Sequence, residues 1–80
     1  MYYVYILKSL RDGTHYYGST GDLNRRLRDH NAGRSRFTKG HRPYLLVYFE
    51  ECETRNEAQN REFFFKSITG YRWLKTQEIV

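Results

Sequence analysis

One cysteine, one proline, one tryptophan and one methionine in 80 residues leave this sequence short of several common devices. A lone Cys52 excludes an internal disulfide, and His15, His30 and His41 are scattered without zinc-finger spacing. Cys52 therefore reads as a partly buried free thiol. No apolar run approaches the length of a membrane span, and Met1 to Leu7 lacks the basic flank and cleavage site of a signal peptide. A soluble, intracellular and so cytoplasmic protein that makes no use of a membrane is expected. Repeats, linkers and low-complexity segments are absent, and residues 1–80 read as a single domain with no room for a second. A chain of this length buries only about 60% of its unfolded surface, so its core must be lean and well packed.

Aromatics supply that core. They make up 18% of the chain, within a hydrophobic fraction of 39%, and tyrosine and phenylalanine bury large areas per side chain. Charge is unevenly placed. Arg25, Arg26, Arg28, Arg34, Arg36, Lys39 and Arg42 face only Asp22 and Asp29 within residues 21–42, which accounts for the whole net charge of +5. A concentrated basic stripe on an otherwise balanced chain points to a polyanionic partner, because neutralising phosphates releases counterions. Arginine dominates the stripe, and its planar fork matches phosphate. A solvated helix face with a charged loop is the alternative.

Tyr2 to Leu7 is a β-branched and aromatic run closed by Arg11-Asp12-Gly13-Thr14, and His15-Tyr16-Tyr17-Gly18 follows, which predicts a hairpin. The first strand is apolar on both faces and should be central. Thr20, Gly21 and Asp22 offer N-cap chemistry for a helix to about Asn31, with Leu23 and Leu27 as its stripe and Gly33 as its stop. After a polar loop from Gly33 to Arg42, Pro43 precedes a third strand, Tyr44 to Phe49. Thr54-Arg55-Asn56-Glu57 forms a capping box for a second helix to about Ser67, whose apolar face is set by Ala58, Phe65 and Ile68. Gly70 should break the pattern before a last short helix from Tyr71 to Ile79.

Some polar residues sit where the pattern wants apolar ones. Glu62 lies between Ala58 and Phe65 on the buried face, so it is either a structural ion pair or a functional ligand. Arg26 and His30 are one turn apart and can lean over the sheet edge, although such residues are ordinarily solvated. The hairpin brings Tyr5 and Tyr16 onto neighbouring strands, and Gly18 beside them leaves space for a backbone or ligand.

Taken in order, these residues resemble the GIY-YIG nuclease superfamily, and within it the small standalone bacterial branch similar to the N-terminal domain of the excinuclease. Tyr3-Val4-Tyr5 stands at the first motif and Tyr16-Tyr17-Gly18 at the second; Arg26 follows on its helix, then His30 and Asn31, then Thr38 to Pro43, and Glu62 stands at the metal-binding glutamate. The resemblance implies an α+β fold, a three-stranded antiparallel sheet flanked by two or three helices. It implies an endonuclease that hydrolyses DNA phosphodiesters by metal-assisted attack of water, structure-specific or repair-related, with one Mg²⁺ or Mn²⁺ ion on Glu62. Tyr5 and Tyr16 become the base and its phosphate-positioning partner, in either order. Arg26 stabilises the transition state, and His30 contacts phosphate or relays a proton. Arg25, Arg34, Arg36, Lys39 and Arg42 become phosphate contacts on a nucleic acid, DNA ahead of RNA, with a partner protein as one source of specificity. A catalytically weak nucleic-acid-binding adaptor on the same fold is the competing expectation.

Overall fold

The computed structural model describes residues 1–36 and 38–80. Strands β1 (Tyr2–Ser9) and β2 (His15–Thr20) precede helix α1 (Leu23–Asn31), and a short 3-10 turn (Lys39–His41) leads to strand β3 (Tyr44–Cys52). Helices α2 (Arg55–Lys66) and α3 (Ile68–Thr76) complete the chain. Phe37, inside the loop expected from Gly33 to Arg42, lies outside the described residues.

The sheet is antiparallel with order β2-β1-β3, so the strand that is apolar on both faces is central. Its alternate residues enter two cores. Val4 and Ile6 meet Phe65 and Leu74 on the side of α2 and α3, while Tyr5 and Leu7 meet Tyr44, with Leu23 and Leu27 of α1 packed against them. A register shift at Ile6 and Leu7 leaves Val47 of β3 unmatched.

Caps set the helix starts. Asp22 accepts from the Arg25 N–H and Thr54 from the Glu57 N–H, each through its side chain. The Glu57 carboxylate reaches back to the N–H of Glu53, one residue before the cap. Asn31 ties the end of α1 to β3 by a two-way backbone contact: it accepts from the Tyr44 N–H at 2.6 Å and donates to the Tyr44 carbonyl at 3.2 Å.

The last helix starts three residues earlier than its sequence pattern suggests. Ser67 ends α2 and caps α3, its hydroxyl accepting from the Gly70 N–H. Gly70 is therefore inside α3, not a break, and Ile68 belongs to α3 with 74% of its surface exposed. Arg61 fastens β3 to both C-terminal helices. It forms a two-point pair with Glu50, at 2.8 and 3.2 Å, and lies 4.7–5.0 Å from the ring centroids of Phe64, Phe65 and Trp73.

Candidate active site

Register places the two tyrosines together. Tyr5 pairs with Gly18 and Leu7 with Tyr16, so Tyr5 and Tyr16 share the α1 face of the sheet with ring centroids 6.2 Å apart. The space above Gly18 does not stay open for a ligand, as the sequence suggested. A Cβ there would lie 2.5 Å from the Tyr5 hydroxyl, because the Tyr5 ring itself crosses over the glycine. Gly18 thus lets a buried phenol lie across β2 and reach α1.

On α1, Arg26 lies beside both phenols, within hydrogen-bonding reach of each. His30 departs most from expectation. It is fully buried, with its ring centroid 4.7 Å from that of Tyr16, and both its nitrogens are engaged, Nε2 with the Tyr5 hydroxyl at 2.9 Å and Nδ1 with Thr38 Oγ1 at 2.8 Å. A ring so enclosed cannot touch phosphate, which corrects that part of the expected role. Burial, and then the Arg26 charge, push its pKa down to about 4, so it is neutral at pH 7.

The chemistry of the neighbours orients this chain of hydrogen bonds. The Thr38 hydroxyl lies 3.4 Å from the Ser35 carbonyl, too long to fix its proton, so the direction is set from Tyr5. Arg26 can only donate, so Tyr5 accepts from it and donates to His30 Nε2, leaving Nδ1–H to donate to Thr38 Oγ1. Burial first, then Tyr16, raises the Tyr5 pKa to about 12, with Glu62 adding a smaller increment and Arg26 opposing it. Tyr5 is a protonated, fixed donor.

Thr38 is the member of this chain that sequence reasoning missed. It appeared only as part of a matching run, since nothing in a loop threonine reveals that it closes over a histidine eight residues earlier. Thr38→Val preserves shape and removes the hydroxyl, so the His30 Nδ1–H loses its acceptor at a cost of about 1–3 kcal/mol, while the ring keeps that proton because the Tyr5 hydroxyl still donates to Nε2. Histidine ring NMR shifts should read Nδ1–H in parent and variant alike. Thr38→Ser should restore the parent stability, and an Nε2–H ring in the parent would refute this direction of donation.

Glu62 stands on α2, which packs on the opposite face of the sheet from α1, and its charge still acts weakly on Tyr5. It is less buried than its place in the pattern implied, with 19% of its side chain exposed, and it accepts from the Lys66 ammonium at 2.7 Å. This is a surface pair at i, i+4 spacing and of small energetic weight, not a buried one. Among the described residues no group of three or more His, Cys, Asp or Glu side chains could cage a metal ion.

The basic stripe forms a rim around α1 and the following loop. Arg25, Arg36, Lys39 and Arg42 are exposed and make no ion pair with an acidic side chain of the described residues, whereas Arg34 is held by Asp29 at 3.1 Å. Arg42 packs against Gly33. The loop is anchored rather than loose: the Ser9 hydroxyl donates to the His41 carbonyl, and His41 Nδ1 lies 2.5 Å from the Asp12 carboxylate. If the rim binds phosphates, Arg25→Gln and Arg36→Gln should each lower the slope of log affinity against log salt by about one unit on duplex DNA, and Arg34→Gln by less. Equal slopes for parent and all three variants would remove the rim from the binding surface.

Three comparisons bear on this arrangement. The family described as GIY-YIG catalytic domain matches residues 1–73. A UPF0213 protein of Clostridium perfringens is 46% identical over 70 residues, covering 86% of this chain and 74% of that protein. One from Haloquadratum walsbyi is 45% identical over 69 residues, covering 85% and 76%. Among solved structures, the solution NMR structure of a UPF0213 protein from Bacillus halodurans superposes with a TM-score of 0.56 at 33% identity, covering 96% of this chain and 85% of that one.

Proposed function

The chain belongs to the GIY-YIG catalytic-domain family, a family of nucleases, and from that premise we propose that it hydrolyses DNA phosphodiester bonds with one Mg²⁺ or Mn²⁺ ion at the edge of β2. The reading rests on one convergence. Tyr5 from β1 and Tyr16 from β2 lie with ring centroids 6.2 Å apart, Arg26 from α1 is within hydrogen-bonding reach of both, and the Glu62 charge from α2 acts on Tyr5.

A lone carboxylate does not suit Zn²⁺, which takes several nitrogen or sulfur ligands. It does suit Mg²⁺, which keeps several waters and takes the rest of its shell from substrate oxygens. A divalent ion on Glu62 would polarise a water and offset charge developing on the phosphate. The weak pair with Lys66 does not hold the carboxylate against such an ion.

The chain's own residues divide the remaining work. Tyr5 stays protonated because it is buried and donates to a neutral His30, so it positions rather than deprotonates. Tyr16, beside Arg26, is the phenol assigned to orient the attacking water, and it would take the water's proton as the phenolate, its own proton having gone to solvent. Arg26, beside both, faces the charge that builds on the phosphate, where a preorganised donor counts most. The rim of Arg25, Arg36, Lys39 and Arg42 offers contacts suited to phosphates and not to base edges, which makes cleavage structure-directed, as in repair, and leaves sequence preference to a partner. Incubation of the protein with nicked, branched, duplex and single-stranded DNA in Mg²⁺ or Mn²⁺ tests the proposal. Cleavage of at least one substrate, abolished by chelation, is expected; binding without cleavage of any would identify an adaptor.

A further inference from the structure

The edge strand has a second side. Tyr16 points to α1, and its neighbour Tyr17 points to the opposite face, where it lines a cavity of about 360 Å³ with Phe65, Lys66, Ser67, Ile68 and Tyr71. Ile68 and Tyr71 expose 74% and 48% of their surfaces and adjoin one another on this face. The Tyr17 and Tyr71 phenols are near enough for Tyr71 to add to burial in pushing the Tyr17 hydroxyl up, yet both side chains line the cavity rather than close it. Tyr17 and Tyr71 are the two phenols that line this shallow, open slot.

We propose that this slot receives an unpaired nucleobase of the substrate strand, next to the phosphate at the candidate site. This rests on the reading of the chain as a protein that acts on nucleic acid. Continuity supports it: Lys66 is a wall of the cavity and also the partner of Glu62 at 2.7 Å, so slot and candidate site share a side chain. Charge supports it as well. Lys75 lies 5.7 Å from the Tyr71 ring centroid, and Lys8 and Lys75 both act on His15 of β2. Neither lysine pairs with an acid among the described residues. Cations around aromatic faces are how proteins hold single strands, the backbone on the charges and the bases on the rings. A base inside a duplex has both faces covered by its neighbours and cannot enter. The favoured substrate therefore carries an unpaired nucleotide beside the bond to be cut.

The test is binding of a thymidine dodecamer and of a blunt duplex in EDTA, where no cleavage intervenes, by the parent and by Tyr71→Phe, Tyr71→Gln and Ile68→Gln. Both positions are exposed on α3, and thermal melting checks that the fold is kept. Tyr71→Gln should weaken single-strand binding about tenfold and duplex binding less than about twofold. Tyr71→Phe should bind like the parent, and Ile68→Gln should fall between. Equal losses on both nucleic acids, no loss on either, a Phe variant as weak as the Gln variant, or a parent that does not bind the dodecamer would overturn the slot. So would a dimer in sedimentation equilibrium that Tyr71→Gln dissolves, which would make this face a contact between copies. Failure of the nuclease reading looks different: the dodecamer would still bind in a Tyr71-dependent way while no DNA is cut in Mg²⁺.

Discussion

Glu62→Gln should lose metal-dependent cleavage by at least about a hundredfold while melting within about 3 °C of the parent. The two halves of this result have different causes. Stability barely changes because Glu62 is paired only with a half-exposed Lys66 one turn away, and such helix pairs contribute about 0.3–0.5 kcal/mol. Cleavage collapses because an amide keeps the shape of the carboxylate but no longer attracts a hard divalent cation. DNA affinity in EDTA should stay the same or rise, since a negative charge near the phosphate is gone. A large fall in melting temperature, with cleavage tracking the folded fraction, would make Glu62 a structural residue.

Gly70→Ala should be the most damaging single change to the fold. A Cβ there falls directly on the Phe64 carbonyl oxygen and lies 2.5 Å from its carbon and 2.9 Å from the Phe65 Cα. All three are backbone atoms of α2, so no rotamer change relieves the clash, and α3 must separate from α2. Separation uncovers Leu74 and the Trp73 ring that stacks on Phe65 at 6.0 Å. The expected loss is at least about 3 kcal/mol, a large share of a small domain's stability, or a fall of roughly 12 °C or more in Tm. Calorimetry measures it directly. An unchanged midpoint would mean that the two helices do not pack as described.

What the sequence made legible was what short covalent spacing encodes. Val4 to Leu7 announced a central strand because both of its faces are apolar, and Asp22 and Thr54 announced helix starts because a cap bonds within three residues. The neighbourhood of Tyr5 and Tyr16 was also accessible, since a hairpin fixes it. Depth and distant contact were not. Helical spacing put His30 on the face turned to the sheet, but only the packing of α1, pinned by Asn31 to Tyr44, makes it a buried acceptor instead of a phosphate ligand. Gly18 and Gly70 were read as local permissions, an open space and a break. Each is a close approach between elements, and that depends on which side chain or backbone arrives from elsewhere. Nothing in the spacing singles out Arg61, because its three aromatic partners come together only when α2 and α3 fold back on β3.

The central claim is that the paired phenols have unequal roles, Tyr16 as the residue that takes the proton and Tyr5 as the buried donor that orders the site. Single-turnover cleavage by Tyr16→Phe and Tyr5→Phe under saturating Mg²⁺ tests it most directly. Tyr16→Phe should lose at least about a hundredfold in rate while binding DNA like the parent. Tyr5→Phe should lose less in rate but melt earlier, because it leaves His30 Nε2 buried without its donor, at a cost of about 1–3 kcal/mol. Parental rates from Tyr16→Phe, or a larger rate loss from Tyr5→Phe than from Tyr16→Phe, would contradict the account.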